Sequence, residues 1–75
     1  MSNQRIKLKT FCDMCLNIGV QFDIKYNWNY AEEKYMKKIE DVNIKDLPDR
    51  MLNAVVFDWF IVNEDIVEIG IDYEE

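Results

Sequence analysis

Cys12-Asp13-Met14-Cys15 is the one stretch whose residue types and spacing match a chemical motif. Two thiols three positions apart suggest zinc ligation or a redox pair. A structural zinc site takes four ligands, and the chain has no His and only these two Cys. One copy supplies two thiolates, so only two copies together would complete a site. Redox chemistry of the thioredoxin kind places the pair at a helix N-terminus after a strand, in a larger α/β domain than 75 residues allow. Cys12 and Cys15 are therefore expected to be reduced and buried on a helix face, with a Cys-based metal or redox protein as an alternative.

Other chemistry finds little support. Without His there is no ordinary acid/base partner for a Cys or Thr nucleophile. The two glycines, Gly19 and Gly70, are too few and too far apart for a phosphate-cradling loop. Asp58, Glu68 and Asp72 suggest a divalent cation, but carboxylates on an antiparallel sheet are usually a solvated face and the oxygen-rich loop of a calcium site is missing. The expectation is no enzyme, no metal and no cofactor. Lys7, Lys9, Lys25, Lys34, Lys37 and Lys38, near Tyr26, Trp28 and Tyr30, raise the question of base stacking. A pI of about 4.5 argues against direct nucleic-acid binding, because the acidic surface repels phosphates.

The charge is unevenly placed. Residues 1–50 hold nine Lys/Arg and eight Asp/Glu, whereas residues 51–75 hold seven carboxylates and no base. Those seven are Asp58, Glu64, Asp65, Glu68, Asp72, Glu74 and Glu75, and they account for the net charge of −6. A field of one sign on a rigid element favours cationic partners.

The elements that must position these groups follow from periodicity. Leu8, Phe11, Cys12, Cys15 and Leu16, with Gly19 beyond, predict a helix over about 8–18. Val20, Phe22, Ile24 and Tyr26 alternate with polar residues and predict a strand over about 20–27. Ala31, Tyr35 and Ile39 at helical spacing, with Glu33 four residues before Lys37, predict a helix over about 30–40. Asp46-Leu47-Pro48-Asp49 predicts an N-cap at Asp46 with proline in the first turn of a short helix ending near Leu52. Residues 54–62 and 66–73 predict a hairpin around Asn63-Glu64-Asp65. Pairing Val62 with Ile66 sets Ile61 opposite Val67, Trp59 opposite Ile69, Phe57 opposite Ile71 and Val55 opposite Tyr73, all on one apolar side.

These elements predict one α+β domain over residues 1–75: a small three-stranded, mostly antiparallel sheet (about 20–27, 54–62, 66–73) with two helices (about 8–18, 30–40) packed on one face. Phe57, Trp59, Ile61, Ile69, Ile71, Phe22, Ile24, Leu16 and Tyr35 are the expected core. Met1-Ser2-Asn3-Gln4-Arg5 leads into alternating Ile and Lys, and the longest apolar runs are four residues. Neither a signal peptide nor a membrane span is expected, and the expected compartment is a reducing cytoplasm (that of a host cell if the protein is phage-encoded).

The outer side of the hairpin then combines carboxylates with an apolar strip, the anatomy of an interface. Asp58, Phe60, Val62, Glu64, Asp65, Ile66, Glu68 and Asp72 are the expected partner-binding residues. The expected function is that of an inhibitor or adaptor occluding a basic, nucleic-acid-binding surface of another protein. Phage DNA-mimic inhibitors of restriction and CRISPR enzymes offer an analogy of size and charge, without a shared motif. The alternative is a structural homodimer of a small bacterial or phage protein, with the apolar strip as its subunit interface.

Overall fold

The computed structural model describes residues 5–15 and 19–75. In chain order these form α1 (Leu8–Cys15), β1 (Gln21–Asn29), β2 (Lys34–Val42), a 3-10 turn (Ile44–Asp46), α2 (Asp49–Leu52), β3 (Val56–Asn63) and β4 (Ile66–Ile71). The strands make one four-stranded sheet in the order β2-β1-β4-β3. Two antiparallel hairpins, β1–β2 and β3–β4, are joined by a parallel pairing of β1 with β4. The expected three-stranded sheet with two helices is therefore corrected to a mixed, four-stranded sheet in which α1 is the only helix of seven or more residues among those described.

The error lies in residues 30–40. Their spacing suits a helix, but most of the segment is β2, paired as Trp28↔Tyr35, Tyr26↔Lys37 and Ile24↔Ile39. Local helix propensity is worth tenths of a kcal/mol per residue, and cross-strand packing against β1 outweighs it. A tight connection opens the hairpin. The Asn29 side chain accepts the Glu32 backbone N–H at 3.0 Å, and Glu33 adopts a φ of 55°. Near its far end β2 bulges, because Phe22 faces Val42 while Ile24 faces Ile39. Asp23, only 3 % exposed, accepts the backbone N–H of Asp41 at this bulge, where Asp41 has a φ of 54°.

β1 and β4 occupy the centre because they carry the most apolar face. Phe22, Ile24 and Tyr26 of β1 and Val67, Ile69 and Ile71 of β4 are buried together. Leu8, Phe11 and Cys12 from α1, with Met51 and Ala54, complete this core. Cys12 is fully buried, while the side chain of Cys15 and all of Leu16 lie outside the described residues, as do positions 16–18 of the expected helix. At α2 the N-cap position is Pro48, in an extended conformation, and not Asp46, which ends the preceding 3-10 turn. No helix among the described residues is long and apolar enough to cross a membrane.

The hairpin register holds at its centre, with Trp59↔Ile69 and Ile61↔Val67, but slips at both ends. Val56, not Phe57, faces Ile71, and Asn63, not Val62, faces Ile66. A further correction concerns the core. Phe57, Trp59 and Ile61 are exposed, because the buried core gathers on β1 and β4 and does not extend to the β3 edge among the described residues. Phe11 of α1 packs on Trp59, with ring centroids 5.7 Å apart. Tyr35 is half-buried on the opposite side of the sheet.

Candidate interaction face

Gly70 determines how the outer side of the sheet is built. It sits in a central strand, where Gly ordinarily weakens packing, with Lys25 beside it on β1 and Asp58 beside it on β3. A Cβ at this position would overlap the Tyr35 hydroxyl and the Asp58 carboxylate. The missing side chain thus lets Tyr35 lie across β4 from β2 and donate its hydroxyl to Asp58 Oδ1 at 3.0 Å. Burial, and then the hydrogen bond and charge of Asp58, push the Tyr35 hydroxyl well above its ordinary pKa of 10.0.

Beside this bond lies a network of charges. Lys25 Nζ sits 5.0 Å from the Tyr35 ring centroid, 6.0 Å from that of Phe60 and 3.6 Å from Glu68 Oε1. Lys38 Nζ is 2.8 Å from Glu68 Oε2, 3.6 Å from Glu40 and 4.0 Å from Asp23. Farther along, Lys37 reaches Glu75 at 3.0 Å. The hydrogen bonds to Glu68 and Glu75 raise Lys38 and Lys37, respectively, above their ordinary value. The middle of the outer face is therefore charge-paired, and its bases come from β1 and β2.

The expected site residues divide accordingly. Asp58, Phe60 and Glu68 are brought together, with Phe60 directly opposite Glu68. Glu68 is neutralised by Lys25 and Lys38, which hairpin periodicity alone does not reveal. Glu64 and Asp65 form the exposed β3–β4 turn beside exposed Val62. Ile66 is half-buried between Asn63 and Gln21, so it does not extend the exposed strip. Asp72 is exposed beyond β4, with its N–H bonded to the Val55 carbonyl. Asp58, Glu64, Asp65, Asp72 and Glu74 make no ion pair among the described residues. No three His, Cys, Asp or Glu side chains among the described residues gather to hold a metal ion.

Sequence reasoning passed over two features. One is a hollow of about 210 Å³ lined by Trp28, Tyr30, Tyr35, Phe57 and Asp58. Its signal is the alternation Tyr26-Asn27-Trp28-Asn29-Tyr30, in which the aromatic residues raise the question of base stacking. The other is the contrast between the two edges of the sheet. β2 carries Lys34, Lys37, Lys38, Glu40 and Asp41 and a bulge, the usual protections of an edge. β3 carries one charge, Asp58, and leaves Phe57, Trp59, Phe60, Ile61 and Val62 between 46 % and 62 % exposed.

Comparison with protein-family models, with curated proteins and with solved structures finds no match to this chain.

Proposed function

We propose that this protein acts by binding another protein, presenting β3 and the acidic β3–β4 turn to a basic surface, and carries out no chemistry of its own. The observation that carries this reading is that five large apolar side chains, on both faces of one edge strand, are exposed beside carboxylates that make no ion pair among the described residues. Clustered apolar exposure beside charge on one edge marks interaction sites on small proteins. Phe60 supplies an anchor, and Asp58, Glu64 and Asp65 supply steering and charge-assisted bonds to Arg and Lys. Occlusion of a nucleic-acid-binding surface in the cytoplasm, as by a phage-encoded DNA mimic, is the form of inhibition this charge suits.

A low-salt pull-down from extracts of the source cells, eluted by a salt gradient, tests the reading. The wild-type protein is expected to retain a basic protein. F60S and the double variant E64K/D65K should release it at lower salt. Equal retention by all three proteins refutes the reading.

The edge contrast favours a second reading, a homodimer formed by β3 pairing with β3. Hydrogen bonds from Leu8 to Ala54 and from Val56 to Ile6 cover the start of this edge, leaving positions 57–63 open. Antiparallel pairing centred on Phe60 uses all of that stretch and sets Asp58 opposite Val62 of the second copy, avoiding a clash of like charges. Sedimentation equilibrium is expected to show a dimer that V62D dissociates and V62K preserves. Equal effects of the two variants, or a wild-type monomer, refute the pairing.

A further inference from the structure

The hollow beside Asp58 has the composition of a cation site. Trp28 stands 4.9 Å from Tyr35 at 69° and 6.3 Å from Tyr30 at 84°, so the rings form a corner and do not stack closed. Phe57 contributes another wall and Asp58 the charge, and neither Lys nor Arg lines the space. Aromatic rings enclosing a space beside a carboxylate attract ammonium groups through their quadrupoles and through simple Coulomb attraction.

The molecule already contains one such arrangement. Lys25 places its ammonium over Tyr35 and Phe60 next to Glu68. The hollow repeats this combination of rings and a carboxylate, with no Lys or Arg among its lining residues. Its volume of about 210 Å³ lies below the roughly 300–1,000 Å³ of drug-sized ligand sites, which suits a single side chain.

Resting on the function proposed above, we propose that this hollow takes the alkylammonium group of a lysine side chain on the basic partner, either bare or methylated. One oxygen of Asp58 accepts the Tyr35 hydroxyl, and the other makes no hydrogen bond among the described residues. A single available oxygen suits a compact ammonium. A guanidinium fork is best satisfied by two.

The test uses the W59F protein, so that Trp28 is its only fluorophore of that type. Short peptides identical except at one position, bearing lysine, trimethyl-lysine, arginine or the neutral norleucine, are titrated while Trp28 fluorescence is followed. Saturable binding of the lysine or trimethyl-lysine peptide is expected, with norleucine at least about 10-fold weaker. The tighter of the two cations then identifies which form is recognised. Y30A and D58N, both at exposed positions, should each weaken binding by about 5–10-fold. Norleucine binding as well as lysine, arginine binding tightest, unaltered affinity in both variants, or no saturable response to either lysine form overturns the proposal. If the peptides fail while the pull-down still depends on Phe60, Glu64 and Asp65, the cation site alone is wrong. If the peptides bind and the pull-down retains nothing, the partner-binding reading fails and the site stands.

Discussion

Replacing Gly70 with alanine tests the construction of the outer face directly. The added methyl meets side-chain tips, the Tyr35 hydroxyl end and an Asp58 oxygen. The Tyr35 ring therefore swings outward and the sheet keeps its path. The hydrogen bond to Asp58 is lost, at about 1 kcal/mol net. So is the edge contact of Tyr35 with Trp28, at about 0.5–1.5 kcal/mol. Alanine regains about 0.5–1 kcal/mol over glycine in a strand. The expected net loss is about 1 kcal/mol, or a Tm about 4–8 °C lower for a domain of this size. Denaturant unfolding measures the loss, and alkaline titration of tyrosine absorbance reports Tyr35 itself. In the wild type Tyr35 should ionise late, and in G70A that late phase should vanish. In the Y35F background G70A should cost less, because the bond it breaks is already absent. A surviving late phase, or a loss above about 3 kcal/mol, would show that the backbone gives way and that the account of Gly70 is wrong.

The core assignment predicts a contrast between isoleucines of the two hairpin strands. Ile69→Ala, at a position with no exposure, should cost about 2–5 kcal/mol in denaturant unfolding, whereas Ile61→Ala on exposed β3 should cost under about 1 kcal/mol. Stability should also decline at alkaline pH. Tyr35, Lys37 and Lys38 are all raised in the folded state, so their contribution is complete below their ordinary values near 10 and fades as pH rises through the folded values. Thermal melts across this range should show the decline beginning above about pH 10, and Y35F should reduce it.

Sequence periodicity carried some of this structure and lost the rest for physical reasons. Matching apolar partners across the loop between 54–62 and 66–73 identifies the central hairpin pairs Trp59↔Ile69 and Ile61↔Val67, because a one-residue slip would exchange the faces. The end registers were illegible, since bulges near Phe57 and Val62 leave no periodic mark. β2 was illegible because its lysines and glutamates suit a helix and only pairing with β1 makes it a strand. The parallel contact of β1 with β4 depends on how the chain between them crosses the sheet, which no local pattern records. Exposure of Phe57, Trp59 and Ile61 depends on which strands the core covers, a property of three-dimensional placement. For the site, Asp58, Phe60 and Glu68 were found by alternation within one hairpin. Lys25, Lys38 and Tyr35 were missed because they arrive from strands that periodicity does not join to it.

The position of β4 bears on how the protein folds. It follows every other element in sequence yet occupies the middle of the sheet, paired with β1 through residues about 45 apart. The two hairpins form from local contacts, but the entropy of closing that long loop is recovered only when β1 and β4 meet. Until then the apolar faces of both hairpins and the inner edges of β1 and β4 are open to other chains. Folding should therefore be slower than the small size suggests and limited by docking of one hairpin on the other. Removing residues 66–71 would take away the centre of the fold, while an equal deletion from β2 would remove only an edge.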